Sequence, residues 1–367
     1  MLNVVKWQDF LKKTTDRKII CFGAGKRLLE LENLPAGYQV INCTEFIIDN
    51  DENKKGKDIF VLGRKFKINS LEIIKNIECD RYVVLITIAN GYYKIVDQLK
   101  QLNLYEKLDI YCLTHMIALF NEQQAMSKNI PNNIKLCNKM IIPKKIHYCW
   151  FGGNPIPDKY KKWMESWEKY CPDYEIIQWN ENNYDVTKNK YMFDAYRAHK
   201  WGFVPDYARL DIIYNYGGIY LDTDVELIDN LDDLLYQNGF AGFESNKYVA
   251  LGLGFGAKKH NPLIKELMED YNNREFSVNK NMIASPVIQT ELMIKKGLKT
   301  NGEYQVLKDM TIFPEKMFCG KSLSSRRIKL KAYSKSIHHY DGSWLDDEKR
   351  NDMKKLEEDF NNVLVDY

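Results

Sequence analysis

Short apolar runs alternate with helical stripes in the first third of the chain. Runs of β-branched and aromatic residues predict buried strands at Lys18–Phe22, Phe46–Ile48, Tyr82–Ile88 and Asp109–Cys112. Between the last two, apolar residues from Tyr92 to Leu102 recur at the spacing of a helix. An alternation of strands and helices predicts a parallel sheet covered by helices. The fold class that we expect here is therefore α/β.

The pattern breaks at residues 126–142, where Asn and Pro occur without a clear apolar period. A second series then begins, with a strand ending near Cys149, an amphipathic helix from Ile156 to Tyr170 and a strand from Glu175 to Asn180. The tail from residue 346 onward has an apolar helical stripe amid charge. We therefore predict one domain at 1–125, a linker at 126–142, a second domain at 143–345 and a C-terminal amphipathic helix at 346–367.

The most informative stretch is residues 202–227, GFVPDYARLDIIYNYGGIYLDTDVEL. Pro205 suits a first helical turn, and Asp206 follows where the helix dipole favours a carboxylate. Asp206 and Arg209 are three residues apart, so they share one face of the helix. The glycine pair at 217–218 is a natural helix stop, and the apolar Ile219–Leu221 that follows predicts a buried strand.

This predicted strand leads directly into two aspartates, Asp222 and Asp224. If the backbone stays extended there, both carboxylates point the same way. Hard oxygen ligands of this kind suit Mg²⁺ or Mn²⁺ carrying a diphosphate, since such ions complete their shell with phosphate oxygens and water. Acidic triplets also occur in solvated loops, so the metal interpretation depends on the helix, glycine stop and strand that precede the pair.

Composition excludes several classes of protein. The chain has 367 residues, of which 45% are apolar and 28% charged, as in ordinary globular proteins. A net charge of +3 gives no reason to expect nucleic acid as a partner. The eight cysteines stand singly, which favours a reduced, cytoplasmic setting over a zinc site or disulfide scaffold. The N-terminus lacks the apolar core of a signal peptide, and we expect at most peripheral membrane contact.

Two more motifs flank the 202–227 stretch. Residues 142–153 read IPKKIHYCWFGG, a strand that ends in an aromatic pair and two glycines. Taken alone, this motif is typical of a core strand with a tryptophan, here Trp150, at its edge. Residues 337–344 read IHHYDGSW, in which paired histidines precede a Ser-Trp pair.

In this order, the motifs resemble those of the family 32 sugar transferases with the DXD signature, and more distantly the catalytic domain of the large glucosylating toxins. The resemblance covers roughly residues 143 to 345. It implies a GT-A type nucleotide-diphosphate-sugar transferase that uses a UDP-sugar donor with Mn²⁺ or Mg²⁺. It also implies retention of the α-configuration, with no protein nucleophile.

The resemblance assigns roles residue by residue. Asp222, Asp224 and His338 would hold the metal, and Asp206, Arg209 and Asp222 would serve catalysis and the donor sugar. Trp150 would pack on the uracil, while Ser343 and Trp344 would contact the diphosphate. His339 is the alternative metal ligand, because adjacent histidines in a strand point to opposite faces and only one should coordinate.

The N-terminal part resembles the small Rossmann-like domains that are fused to bacterial polysaccharide enzymes. Gly23 and Gly25 follow the first strand, and Asp49 follows the second. A third glycine of the dinucleotide fingerprint would fall at position 28, which is Leu28. Nucleotide binding and a purely structural or partner-docking role both remain open for this domain.

Three later segments carry weaker signals. Glycine and apolar residues at Tyr248–Ala257 predict a strand that lets a ligand or a second backbone approach closely. Alternating charge at Arg327, Lys329 and Lys331 predicts a half-buried strand with a basic face, either solvated or facing an acceptor pyrophosphate or anionic lipid. The C-terminal helix suits docking on the protein body or a homodimer contact.

We therefore expect a metal-dependent retaining glycosyltransferase. It would move a hexose or N-acetylhexosamine from a UDP-sugar to a glycan acceptor, which could be lipid-linked, in bacterial surface or capsular polysaccharide synthesis at the inner face of the membrane. A nucleotide-sensing scaffold with an inactive transferase domain is one alternative. A transferase that modifies proteins is another, and a dehydrogenase lacks a recognisable substrate domain.

Overall fold

The computed structural model describes residues 2–245, 247–277, 283–342 and 347–361. Two compact units divide the chain. We call the first, Met1–Gln123 with Ser324–Arg327 and Asp346–Tyr367, the N-terminal unit. The second, Gln124–Leu323 with Ile328–Leu345, is the C-terminal unit. Both are mixed α/β with parallel strands, which confirms the predicted class, while the predicted domain boundaries and the two-domain family arrangement stay predictions.

The elements are numbered along the chain. The strands are β1 (Leu2–Asn3), β2 (Lys18–Phe22), β3 (Thr44–Ile48), β4 (Asp58–Val61), β5 (Arg64–Asn69), β6 (Tyr82–Ile86), β7 (Asp109–Cys112), β8 (Lys145–Cys149), β9 (Glu175–Trp179), β10 (Gly218–Tyr220), β11 (Val225–Leu227), β12 (Gly239–Phe243), β13 (Val249–Ala250), β14 (Phe255–Ala257), β15 (Gln305–Val306), β16 (Thr311–Phe313) and β17 (Ser336–His338). The α-helices are α1 (Trp7–Lys13), α2 (Lys26–Leu29), α3 (Gly37–Cys43), α4 (Tyr92–Gln101), α5 (Leu113–Ser127), α6 (Asp158–Tyr170), α7 (Lys190–Arg197), α8 (Pro205–Tyr216), α9 (Pro262–Asn272), α10 (Ser285–Lys295) and α11 (Asp347–Asn361).

A seven-stranded sheet forms the centre of the N-terminal unit as described. Its order is β1-β7-β6-β2-β3-β5-β4, and every neighbouring pair is parallel except the β4–β5 hairpin. Alternate residues of β2 enter different core clusters, with Ile19 and Cys21 in one and Ile20 and Phe22 in the other. The sheet is therefore covered by apolar packing on both faces, as parallel sheets require.

The glycine turn after β2 is closed by the acid that follows β3. Gly23 has φ of 123°, and a Cβ there would lie 2.4 Å from Ile88 Cγ2, so the position requires glycine. The Asp49 carboxylate accepts a hydrogen bond from the Ala24 N–H at 2.7 Å and pairs with Lys54 at 2.9 Å. In this arrangement Asp49 holds the turn itself, while nucleotide binding here stays a prediction.

The C-terminal helix α11 belongs to the N-terminal unit. Phe360 is 2% exposed and packs with Ala118 and Leu119. Asp359 accepts a hydrogen bond from the Tyr92 hydroxyl and lies 3.2 Å from His115 Nε2. The described part of the helix thus uses its apolar stripe within this unit, and the homodimer contact stays a prediction.

A larger sheet forms the C-terminal unit, with eight strands among the described residues. Its order is β15-β16-β12-β14-β10-β8-β9, and β13 pairs with β12 off this path. Strands β8, β9 and β10 are parallel to one another, and so are β12 and β16. Because β14 runs antiparallel to both β10 and β12, all five of these strands point the same way. Their carboxyl ends therefore meet at one edge of the sheet.

The helix stop predicted at residues 217–218 is held by a buried histidine. Gly217 has φ of 64°, which ends α8 and turns the chain into β10. His147 Nε2 lies 2.9 Å from the Gly217 carbonyl oxygen, and its Nδ1 accepts from Trp179 Nε1 at 3.1 Å. Because Nδ1 accepts, Nε2 carries the proton and donates to the carbonyl. Burial lowers the pKa of His147 to about 4, which keeps the ring neutral.

Two predicted strands are not formed as expected. Residues 248–257 are split into β13, a 3₁₀ turn at Leu251–Leu253 and β14. The predicted basic strand at 327–332 is wrong, since only an isolated bridge joins Ile328 to Lys321. Instead, the Lys331 side chain donates to the Met126 carbonyl and the Asn129 side chain, both at 3.0 Å.

In the part of the chain that the structure describes, no helix is long and apolar enough to cross a membrane.

Candidate active site

Helix α8 contributes a buried ion pair to the carboxyl edge of the large sheet. Asp206 and Arg209 are 3% and 4% exposed, and Arg209 Nη2 lies 3.0 Å from Asp206 Oδ1. The guanidinium also donates from Nε to the Pro205 carbonyl at 3.0 Å and lies 5.1 Å from the centre of the Tyr220 ring. These contacts fix Arg209 in one orientation on the helix face that the sequence predicted.

Asp222 follows β10 and joins this pair. Its Oδ2 lies 3.7 Å from Arg209 Nη1, and its side chain is 31% exposed. The Asp222 N–H donates to the Gly252 carbonyl at 3.2 Å. A Cβ at Gly252 would lie 2.2 Å from Asp222 Oδ2 and 3.0 Å from Arg209 Nη1. The close approach predicted for residues 248–257 is therefore made to the site itself, by a glycine that leaves room for Asp222.

Asp224 and His338 meet through strand pairing. β11 and β17 form an antiparallel two-stranded ribbon in which Val225 is opposite His338. This register brings His338 Nε2 to 3.1 Å from Asp224 Oδ1. The other Asp224 oxygen accepts from the Asp341 N–H at 3.0 Å, and the Asp224 carbonyl accepts from the His339 N–H at 2.9 Å. Residues more than a hundred positions apart are thus brought together by one register.

The donor set of Asp222, Asp224 and His338 fits a divalent cation. One ligand atom from each of the three residues lies within 4.8 Å of the other two. Neighbouring ligands of an octahedral ion with bonds of about 2.1 Å are about 3 Å apart, which matches the separation between Asp224 and His338. Carboxylate oxygens are ligands that suit Mg²⁺ and Mn²⁺, and an imidazole nitrogen is a typical ligand of first-row transition-metal ions. His338 Nδ1 is buried and has no hydrogen-bond partner within the described residues.

The charges of the site are strongly coupled. Burial would raise the pKa of Asp224, but His338 and the Asp341 N–H lower it to about 2. Burial lowers the pKa of His338, but Asp224 and Asp222 outweigh it, so the net shift is upward. Burial raises the pKa of Asp222, against the opposing effect of Arg209. Asp224 therefore stays ionised and available to a cation at neutral pH.

Asp206 differs from Asp224 in its electrostatics. Burial raises the pKa of Asp206 to about 6, although Arg209 and a hydrogen bond from the Ser285 hydroxyl oppose the shift. Ser285 begins α10. Its contact with Asp206 depends on how α10 packs, which no local pattern reveals.

His339 lies away from the donor set. Its ring stacks on Trp163 with centroids 4.0 Å apart and planes 9° apart, and its Nε2 lies 2.8 Å from Glu226 Oε2. Asp341 is held by α6 as well, through Lys159 at 2.6 Å and the Tyr160 hydroxyl. The structure therefore groups His338, and not the alternative His339, with the two aspartates.

The remaining predicted residues are only partly placed. Trp150 follows β8 at the same sheet edge as Asp222, is half-buried and donates from Nε1 to the Asn154 carbonyl at 2.7 Å. Ser343 and Trp344 lie outside the described residues. Glu244 is one residue that the sequence missed, and it follows β12 at this edge. Its pKa is raised by burial, while His338 opposes the shift and Asp222 adds to it.

Comparison with known families supports the class of the site. Residues 157–241 match the family described as the glycosyltransferase sugar-binding region containing a DXD motif. This range includes Asp206, Arg209, Asp222 and Asp224. This match supports the prediction of a DXD-type glycosyltransferase for this region of the chain.

Individual relatives are similar over part of the chain. Inositol phosphoceramide mannosyltransferase 3 of Schizosaccharomyces pombe is 35% identical over 99 residues, which is 26% of this chain and 28% of that protein. Human alpha-1,4-N-acetylglucosaminyltransferase is 38% identical over 66 residues, or 18% of each chain. The chain therefore spans less than a third of either relative. The solved structure of PaToxG Glycosyltransferase aligns over 49% of this chain and 76% of its own, with 19% identity and a TM-score of 0.36.

Proposed function

We propose that this protein is a metal-dependent glycosyltransferase that moves a hexose or N-acetylhexosamine from a nucleotide sugar to a hydroxyl of a glycan acceptor. The observation that carries the proposal is the convergence of Asp222, Asp224 and His338 beside the buried Asp206–Arg209 pair. The match of residues 157–241 to a sugar-transferase region supports the reaction class.

Each residue has a distinct task in this proposal. A divalent cation bound at Asp222, Asp224 and His338 would neutralise charge on the leaving nucleoside diphosphate. Asp222 has the most exposed side chain of the three, and it is the one that also lies near Arg209. Arg209 orients Asp206 and Asp222 through its paired nitrogens, and direct contact of the pair with the donor sugar is part of the proposal. Trp150 would stack on the base, and Ser343 and Trp344 would contact the diphosphate.

The donor and the setting are also proposed. We expect a UDP-sugar, retention of the α-configuration, Mn²⁺ or Mg²⁺ as the ion and a GT-A type fold for the transferase domain. Relatives named as a mannosyltransferase and an N-acetylglucosaminyltransferase support the range of sugars. The acceptor would be a surface or capsular glycan, free or lipid-linked, modified at the cytoplasmic face of a bacterial membrane.

A donor panel tests the proposal. UDP release from UDP-glucose, UDP-galactose and their N-acetylated forms is measured with Mn²⁺ and with a chelator, for wild type and Asp224→Ala. We expect release from one donor that requires the metal and is lost in the variant. GDP-mannose, from which GDP release is measured, is included because one relative is named as a mannosyltransferase.

The alternatives give different results in the same assay. A nucleotide-sensing scaffold would bind UDP without releasing it from any donor. A protein-modifying transferase would release nucleotide from its donor and transfer the sugar to a protein rather than to a glycan. A fully active Asp224→Ala enzyme would refute the metal site.

A further inference from the structure

Glu244 lies at the carboxyl edge of the large sheet with the predicted site. β10 and β12 run in the same direction on either side of β14, so the residues that follow them emerge at the same edge. Asp222 follows β10, and Glu244 immediately follows β12. The Glu244 N–H donates to the Tyr248 carbonyl at 2.8 Å, which continues the β12–β13 pairing by one more residue. The direction of the Glu244 side chain is therefore set by the alternation of the strand.

This alternation directs Glu244 to the face that carries the β11–β17 ribbon. Two residues earlier, a Cβ at Gly242 would lie 2.5 Å from the Phe318 ring. Phe318 belongs to the core cluster that contains Val225 and Tyr340, the neighbours of Asp224 and His338. The intervening Phe243 belongs to the other core cluster. Consistent with this geometry, the charges of His338 and Asp222 act on the Glu244 carboxyl.

The Glu244 carboxylate is half-buried and has no hydrogen bond or ion pair with any residue that the structure describes. A half-buried carboxylate without a protein partner is free to accept a hydrogen bond from a ligand or from solvent. An ionised phosphate is not the direct partner of this carboxylate, because like charges repel and a fully ionised phosphate has no proton to donate. A ligand hydroxyl group has the required chemistry, since it donates a hydrogen bond and carries no charge.

Position then separates two sources of hydroxyl groups. The residues proposed for the donor sugar, Asp206 and Arg209, lie on α8, which packs in the core cluster of the opposite sheet face. Glu244 faces the ribbon side instead. We propose that Glu244 binds the hydroxyl group of the acceptor, or a water molecule in its absence, and holds it for attack on the donor sugar.

This inference rests on the proposed function. In the reaction, the nucleophile oxygen forms a bond to the anomeric carbon as the bond from that carbon to the β-phosphate oxygen breaks. The departing diphosphate keeps the electron pair of the broken bond and takes the proton of the nucleophile. Glu244 accepts a hydrogen bond from the nucleophile and undergoes no net change.

Steady-state kinetics of Glu244→Gln test the assignment. We expect kcat for Mn²⁺-dependent release of UDP from the active donor to fall roughly 10- to 100-fold, as for loss of a hydrogen bond to a charged group. KM for the donor should stay within about twofold, since donor contacts are intact. The dissociation constant of Mn²⁺, measured by electron paramagnetic resonance without donor, should also be unchanged.

Two further variants make the test specific. Glu244→Asp keeps the charge but withdraws it by one methylene, so kcat should again fall while Mn²⁺ binding persists. Glu175→Gln changes an exposed carboxylate at the start of β9, on the opposite edge of the same sheet, and should behave as wild type. A melting temperature for each protein shows whether it is folded.

The possible outcomes distinguish failure of the acceptor role from failure of the proposed function. An unchanged kcat, a donor KM that rises at constant kcat, or weakened Mn²⁺ binding would each overturn the acceptor role. If the wild type releases nucleotide from no donor in the panel, the proposed function fails and the inference fails with it. If the wild type is active and the Glu244 variants are as active as the wild type, the inference fails while the proposed function stands.

Discussion

At the scale of single residues, Gly252 is a position where one methyl group should disable the site. A Cβ there would lie 2.2 Å from Asp222 Oδ2. The φ angle of Gly252 lies outside the left-handed region, so an alanine would clash with the Asp222 side chain without straining the backbone. We expect Gly252→Ala to displace Asp222 and to lower metal-dependent donor hydrolysis about 100-fold, as misplacement of a reacting group does. The assay is UDP release at saturating Mn²⁺.

Gly25→Ala is the matched control for this variant. A Cβ at Gly25 meets no atom within 4 Å, and its φ of −128° is open to any residue. This variant should keep full activity. Equal activity of the two variants would show that the space beside Asp222 has no role.

His147 predicts how stability depends on pH. Burial lowers its pKa to about 4, whereas the unfolded chain has a value of about 6.5. The neutral ring is therefore favoured by folding, and its contribution is complete above pH of about 6.5 and lost as the pH falls toward 4. The contribution is about 3 kcal/mol in total.

A comparison of melting temperatures checks this expectation. Melting temperatures are compared at about pH 7.5, which is above the unfolded pKa of His147, and at about pH 4.5, which is close to its folded pKa. Over this interval wild type should lose more stability than His147→Gln. The Gln side chain has no proton to gain in this range, so its curve should be flatter. Parallel curves for the two proteins would contradict the assignment of the ring to a neutral, buried state.

Single residues also show what the sequence can reveal about the site. Asp206 and Arg209 share a helix face because they are three residues apart, and Asp222 follows an apolar run that predicts a strand. The positions of these three residues could therefore be predicted from the sequence. Glu244 was not, because its place beside Asp222 depends on the order of β10, β14 and β12 in the sheet. Strand order is set by packing between distant segments, which leaves no local trace.

At the scale of elements, the β11–β17 ribbon is held against α6 by the stack of His339 on Trp163. Trp163→Leu removes the stack without touching Asp224 or His338. An aromatic pair contributes enough to change an equilibrium about 2- to 10-fold, and we expect the Mn²⁺ dissociation constant to rise by this factor. Titration followed by electron paramagnetic resonance measures it.

Met164→Leu serves as the control on the same helix. Its side chain packs against the core and has no described contact with His339. Mn²⁺ affinity should therefore match wild type. Unchanged affinity in Trp163→Leu would mean that the ribbon keeps its position without α6.

The ribbon also explains why the sequence left two histidines as candidates. Adjacent residues of a strand face opposite ways, but only the pairing of Val225 with His338 decides which histidine meets Asp224. The basic segment at 327–332 shows the opposite failure. Its alternation satisfied the rule for a strand, yet Lys331 is held by Met126 and Asn129, so local periodicity was overridden by tertiary contacts.

At the scale of the whole molecule, the C-terminal helix α11 should stabilise the N-terminal unit. Phe360 is 2% exposed against Ala118 and Leu119. Phe360→Ala removes a buried ring, and we expect a loss of about 3 kcal/mol. The melting temperature should fall, while donor hydrolysis at 25 °C should remain near the wild-type value because the site lies in the other unit.

Glu358→Gln, an exposed change two residues away, is the control for this variant. A melting temperature unchanged by Phe360→Ala would show that α11 adds little to the unit. The sequence did not predict which segments form this unit, because residues 1–123 are joined by a helix from the far end of the chain. An amphipathic stripe predicts that a helix docks, but not where.

The central claim is that Asp222, Asp224 and His338 hold a divalent cation that binds the diphosphate of the donor. Calorimetric titration of UDP tests it most directly, with and without Mn²⁺, in wild type, Asp224→Asn and the surface control Asp233→Asn. We predict that wild type and control bind UDP only with Mn²⁺, and that Asp224→Asn weakens this binding roughly 10-fold or more. Equal UDP affinity in all three proteins, or binding that is indifferent to Mn²⁺, would contradict the account.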